Sequence, residues 1–81
     1  MHWNHRVMNC PSENGGTEDY FTFKEVYYDA KTNEPYAYGN PFIGGDTFEE
    51  LQELVERMKT ALGNPVLHEN DFALGGEYYV G

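Results

Sequence analysis

Four side chains of this sequence could bind a soft metal or act as nucleophiles: His2, His5, Cys10 and His68. Zinc sites pair such ligands at short spacings, as in C-x-x-C or H-x-x-x-H. His2 and His5 stand three apart in MHWNHRVMNC, a stretch that alternates like a strand. Residues three apart on a strand point to opposite faces, so this pair does not form half a site. Cys10 and His68 lie far apart along the chain, and neither a metal nor another cofactor is expected. A reactive thiolate needs an electropositive setting or a helix N-terminus. Cys10 precedes Pro11 in an acidic chain and is expected to be structural.

Among the carboxylates, Glu25 stands out because it shares a strand side with Phe21, Phe23 and Tyr27. General acid–base work needs a carboxyl held in such apolar surroundings. The ordinary outcome is pairing, with Arg6, with Lys24 or with a tyrosine hydroxyl. GNPFIGGD places glycines before a helix start, superficially like a phosphate cradle. It lacks the lysine of G-x-x-x-x-G-K-[ST], and Asp46, Glu49 and Glu50 would repel phosphate. No catalytic residue is assigned, and the chain is not expected to be an enzyme.

The elements that must position these residues follow from period and punctuation. Trp3–Asn9 alternates as a short strand. Two more strands, about Tyr20–Asp29 and Tyr36–Phe42, flank DAKTNEP, in which Asn33 is the expected left-handed residue. In DTFEELQELVERMKTALG, Phe48, Leu51, Leu54, Val55, Met58, Ala61 and Leu62 fill one arc of about 140° at helical period. Asp46 or Thr47 can cap this helix, Glu49 or Glu50 can close a capping box, and Gly63 is the expected C′ residue. Pro65-Val66-Leu67 reads as an extended segment running back along the body. The predicted fold is α+β: a three-stranded antiparallel sheet, a β-β-β meander, with one amphipathic helix packed on one face. Tyr78-Tyr79-Val80 is a candidate extra C-terminal strand. Residues 1–81 are expected to form a single domain, with the core at about 3–67 and 68–81 as an extended or partly loose tail.

The hairpin FKEVYYDAKTNEPYAYGNPF carries rings on both alternating sets. Tyr20, Val26 and Tyr28 lie opposite Phe21, Phe23 and Tyr27, and Tyr36 and Tyr38 share a side of the next strand. One helix covers one face. The other needs the tail, a second copy or a foreign partner, since interfaces favour tyrosine and tryptophan. A second surface feature is the stripe of Glu49, Glu53 and Glu56 along the helix. Glu49 and Glu53 repel at i,i+4, which hints at a basic partner; a solvated helix face is the plainer account.

Composition narrows the function classes. The chain has 81 residues and a formal charge of −9, from 14 acids against 5 bases. Direct nucleic-acid binding needs a basic footprint, and anionic membrane surfaces repel such a chain. One cysteine excludes an intramolecular disulfide. The first ten residues lack a signal peptide's apolar stretch, and no run approaches a membrane span. The expected location is cytoplasmic, in a bacterium or in an infected host cell.

W-N-H-R-V at Trp3–Val7, K-E-V-Y-Y-D at Lys24–Asp29, F-E-E-L at Phe48–Leu51 and E-R-M-K-T-A-L-G-N-P-V-L at Glu56–Leu67 resemble a family of small uncharacterised bacterial and phage proteins. The family pattern runs W-N-Y-R-V, H-E-V-Y-Y-D, a G-x-P turn, W-T-E-x-P, and a helix ending M-x-x-A-L-x-x-P-V-L. Tyr38 stands where the pattern has its second tryptophan, and Asn33 where it has the turn glycine. The polar insert around Ser12–Asp19 and the tail after Asn70 are additions. The resemblance implies a β-β-β-α fold and a microbial or viral source, and supplies no catalytic residues.

The function these readings favour is a small acidic non-catalytic protein-binding module, by class analogy a phage- or bacterium-encoded stoichiometric inhibitor of a larger protein, including anti-defence inhibitors. Its expected contact residues are Tyr20, Tyr28, Tyr36, Tyr38, Glu49, Glu53 and Glu56. Three alternatives stand beside it. One is a nucleic-acid mimic directed at a basic groove. Another is a small ligand-binding or enzymatic domain built on Glu25 and its tyrosines. The last is a homodimeric structural or regulatory protein. A protein partner is expected, with no membrane, and the chain itself as monomer or homodimer.

Overall fold

A computed structural model describes residues 2–72. Strand β1 (His2–Asn9) pairs antiparallel with β2 (Phe21–Tyr28), and β2 pairs antiparallel with β3 (Pro35–Gly39). Helix α1 (Phe48–Ala61) follows, and then β4 (Leu67–His68), which pairs parallel to β1. The sheet order is β3-β2-β1-β4. The meander predicted for the first three strands is present, but the sheet is four-stranded and mixed. The physical reason is the crossover. α1 carries the chain from the β3 edge back across the sheet, so Leu67 and His68 reach the open edge of β1 running in its direction. The candidate strand at Tyr78–Val80 lies outside the described residues.

Local chemistry sets the boundaries. Asn33 takes φ 60° in the β2–β3 turn, a conformation asparagine tolerates better than most residues. Asp29 Oδ1 accepts from the backbone N–H groups of Lys31 and Thr32 at 2.7 and 3.0 Å. Those two donors hold the Asp29 carboxyl below its ordinary pKa. At the helix start, Glu50 N donates to Thr47 Oγ1 at 3.1 Å and Thr47 N donates to Glu50 Oε1 at 3.2 Å, closing the capping box. Gly45 allows the close approach of this loop: a Cβ there would lie 2.7 Å from Glu50 Cβ. The helix end differs from expectation. Gly63 is not left-handed; Leu62, Gly63 and Asn64 donate in turn to Lys59, Thr60 and Ala61, so the last turn tightens into i→i+3 bonds.

Directly paired residues of an antiparallel ladder share a face. The register puts Asn4, Arg6, Met8, Lys24, Val26 and Tyr28 on one face, with Tyr38 opposite Val26. On this first face Met8, Cys10, Val26, Tyr28, Tyr38 and Phe72 form the core cluster, with Leu67 packed against it. Its cover comes from two irregular segments. The β1–β2 loop brings Glu13 to Lys24 Nζ at 2.8 Å. The turn after β4 brings Phe72 edge to face with Tyr38 at 4.9 Å. Ser12 N and Oγ both donate to the Glu69 carboxylate, tying the two segments together. Phe72, from the segment after β4, belongs to this core. The second face carries Trp3, His5, Val7, Phe23, Glu25 and Tyr27. α1 lies against it, with Arg57, Thr60 and Ala61 beside Trp3 and His5.

Candidate protein-binding surface

On α1 only Leu54 and Ala61 are buried. Leu51 and Met58 are half-buried, whereas Phe48, Val55 and Leu62 are 69, 46 and 67% exposed. Projected at about 100° per residue, Leu54 and Ala61 mark the side of the apolar arc turned to the sheet. Leu51 and Met58 come next, and Leu62, Val55 and Phe48 complete the arc on the solvent side. The sheet thus takes half of an arc that could bury all of it. Next to the exposed half, in angular order, come Lys59 and Gln52, then Glu56, Glu49 and Glu53. Lys59 Nζ and Glu56 Oε2 pair at 3.2 Å. Phe48, Leu51, Gln52, Val55 and Glu56 line a shallow groove of about 510 Å³.

The expected contact residues divide between surface and core. Glu49, Glu53 and Glu56 are exposed and share one side of α1. Tyr20 and Tyr36 are exposed, away from that stripe on the β1–β2 loop and on β3. Tyr28 and Tyr38 are buried in the core cluster, where a partner cannot reach them. A register irregularity between Tyr27 and Tyr28 sets Pro35 opposite Tyr28, and Tyr36 falls outside the regular pairing that seats Tyr38. Tyr28 Oη accepts from Arg6 Nη1 at 3.0 Å and donates to Asn4 Oδ1 at 2.8 Å. The exposed half of the helix arc is the surface that sequence reasoning did not assign. Its signal was available: Phe48, Leu51, Val55, Met58 and Leu62 alternate spacings of three and four, the seam of a helix pair.

The candidate chemical groups are held by ordinary contacts. Glu25 Oε1 accepts from Tyr27 Oη at 2.8 Å and Oε2 from Phe42 N at 3.2 Å. Burial and this bond raise the Tyr27 pKa. Cys10 is fully covered, and burial with Glu13 nearby pushes its thiol to about 11. His2 meets Tyr28 on the first face and His5 lies on the second, as alternation requires. His68 Nδ1 accepts from Asn70 N at 3.0 Å, a purely local bond. Among the described residues no group of His, Cys, Asp or Glu is placed to hold a metal ion. No helix among them is long and apolar enough to cross a membrane.

A cleft of about 470 Å³ lies between the β1 end and α1, lined by Trp3, Asn4, His5, Arg57, Thr60, Ala61 and Asn64. His5 is 4% exposed, and neither ring nitrogen has a hydrogen-bond partner among the described residues. Both nitrogens are covered, so the cleft's accessible polar groups come from its rim rather than from the imidazole. Burial lowers the His5 pKa; Glu25 opposes that shift and Arg57 reinforces it. Neither a protein-family model, nor a curated protein, nor a solved structure matches the chain.

Proposed function

We propose that the chain is a small acidic, non-catalytic protein-binding module that acts by occupying a larger protein, in the manner of phage- or bacterium-encoded stoichiometric inhibitors, including those directed at defence systems. The observation that supports this reading is the half-covered arc of α1. Phe48, Val55 and Leu62 stay in water beside Leu51 and Met58, on a helix closed by a capping box at Thr47 and Glu50 and buried at Leu54 and Ala61. Large apolar side chains aligned on one exposed face, rimmed by charge, are a protein-interaction signature. The acidic stripe beside them adds steering towards a basic surface. The contact set is thereby moved from the hairpin tyrosines to Phe48, Val55, Leu62 and the glutamates Glu49, Glu53 and Glu56.

Capture from host lysate tests this. The wild-type chain and a Val55→Glu/Leu62→Glu variant would be immobilised, after circular dichroism shows the same fold. A partner retained by the wild type at one-to-one stoichiometry and lost from the variant is the expected result. Equal capture by both would remove α1 from the function, and no stoichiometric partner at all would remove the module reading.

A further inference from the structure

We propose that the cleft between the β1 end and α1 is a small-molecule site for a flat aromatic carboxylate. This goes beyond the protein-binding reading and does not depend on it, because Arg57 and Thr60 lie on the side of α1 turned away from Val55. Size is the first argument. At about 470 Å³ the cleft falls within the range of ligand pockets, roughly 300–1,000 Å³. Trp3 and Ala61 supply apolar wall, and Asn4, Thr60 and Asn64 supply a few polar groups, the usual mixture in such pockets. The ring wall is already in place. Trp3 is 46% exposed, yet its indole meets His5 in an edge contact at 5.3 Å and stands 6.4 Å from Tyr27. A planar ring can pack against it without a new side-chain arrangement. His5 is buried, with neither ring nitrogen partnered among the described residues. Such a group costs stability and calls for an account other than packing.

Charge selects the carboxylate. The chain has 14 acids, yet among the described residues none of them lines this cleft, whereas Arg57 does. Arg57 makes no ion pair or hydrogen bond among the described residues, unlike Arg6, Lys24 and Lys59. A guanidinium offers two parallel N–H groups, which a carboxylate accepts in one plane. The neighbouring cleft at Phe42, Asp46, Glu50 and Glu53 shares Arg57 but is rich in acids, so it repels the same ligand. A single negative charge fits better than a phosphate. The site lies towards the C-terminal end of α1, where the macrodipole disfavours further negative charge. Burial holds the His5 pKa down, with Arg57 adding to it against Glu25, so the imidazole brings no second cation near neutral pH.

The test is an NMR titration of the isotope-labelled full chain with three probes of one shape: naphthoate, its neutral amide and naphthylmethylammonium. Trp3 is the one tryptophan, so its indole N–H reports the site directly. Naphthoate is expected to shift that signal and the Thr60 and Asn64 amides, saturably, with Kd of about 1 mM or tighter. It should bind about fivefold or more tighter than the amide, with the ammonium weakest. Arg57→Gln, an exposed change checked for fold by circular dichroism, should bring naphthoate down to the level of the amide and leave the amide unchanged. Asn64→Asp puts a carboxylate on the rim with almost no change of shape; it should weaken naphthoate and strengthen the ammonium. Equal affinity for naphthoate and its amide, shifts away from the cleft, or a naphthoate preference that survives Arg57→Gln would overturn the proposal. So would the absence of saturable naphthoate binding. None of these results bears on partner capture by Phe48, Val55 and Leu62, so the two readings fail separately.

Discussion

On one face of the sheet, Tyr38 is 1% exposed and meets Phe72 edge to face, under a cover made of two irregular segments. On the other face a well-capped helix lies with nearly half of its apolar arc in water. The regular element closes its face incompletely, and the irregular segments close theirs fully. Closure follows from how many large side chains converge, not from how regular the covering backbone is. The first face gathers rings from β2, β3 and the post-β4 turn. The second receives two fully buried side chains from α1, Leu54 and Ala61, which dock the helix and leave the next stripe free.

The sharpest way to break this comparison is to open the first face. Phe72→Ala should cost about 3–5 kcal/mol, the range for deleting a buried ring. Equilibrium urea unfolding would show it as a large drop in midpoint; a drop worth under about 1 kcal/mol would mean that Phe72 is not the closing side chain. On the second face, Leu54→Ala should cost about 2–4 kcal/mol, because Leu54 is the main docking side chain of α1. Glu13→Ala comes next. It leaves the Lys24 ammonium, 1% exposed, with Asn40 Oδ1 at 2.6 Å and the Tyr38 ring at 5.9 Å but no counter-charge. The expected loss is about 2 kcal/mol, below that for a fully buried pair because the Glu13 carboxylate keeps some contact with water. Lys24→Met in the Glu13→Ala background should recover most of it.

These contacts also show what the sequence could convey. The helix, its capping box at Thr47 and Glu50, the left-handed Asn33 and the first three strands are all local, set by period and turn chemistry within a few residues. Long-range closure is not local. Nothing around Lys24 marks it as buried, because its partner Glu13 comes from a loop with no pattern. Phe72 sits in ENDFALGG, which has no period, and earns its core position from Tyr38, far along the chain. Two-residue β4 is too short to show alternation. A hydrophobic arc reports which positions could be buried together, not how much of the arc a given sheet will cover. That is why the tyrosines drew the expected contact surface to the hairpin, when two of them are core and the open apolar stripe is on the helix.

His5 sharpens the second face by a smaller amount. Its ring is buried with both nitrogens unpartnered, in electrostatic reach of Glu25 and Arg57 and at ring contact with Trp3. His5→Leu removes the cost of those nitrogens and should stabilise the fold by about 1 kcal/mol near pH 7. The pH dependence has a definite sign. Burial lowers the folded pKa below the ordinary 6.5, so the unfolded chain takes up the proton first as pH falls. The neutral ring's contribution is complete above pH 6.5 and is lost as pH falls through the folded pKa. Urea midpoints of wild type and His5→Leu should therefore diverge further below pH 6.5. Parallel curves across that window would mean that folding leaves the His5 pKa where it is in the unfolded chain.

The smallest expected effect is the most diagnostic. Val55 adjoins Leu54 in sequence, but the helix turns it away from the sheet into water. Valine and serine have similar helix propensity, so Val55→Ser changes little except that apolar surface. Its unfolding free energy should stay within about 0.5 kcal/mol of wild type, against the loss expected for Leu54→Ala one residue earlier. The contrast would mark the boundary between the stripe that holds the helix to the sheet and the stripe left for a partner. A loss for Val55→Ser approaching that of Leu54→Ala would place Val55 in this chain's own packing. The open stripe, and the binding surface built on it, would then shrink to Phe48 and Leu62 at opposite ends of the helix, too far apart to seat one partner side chain between them.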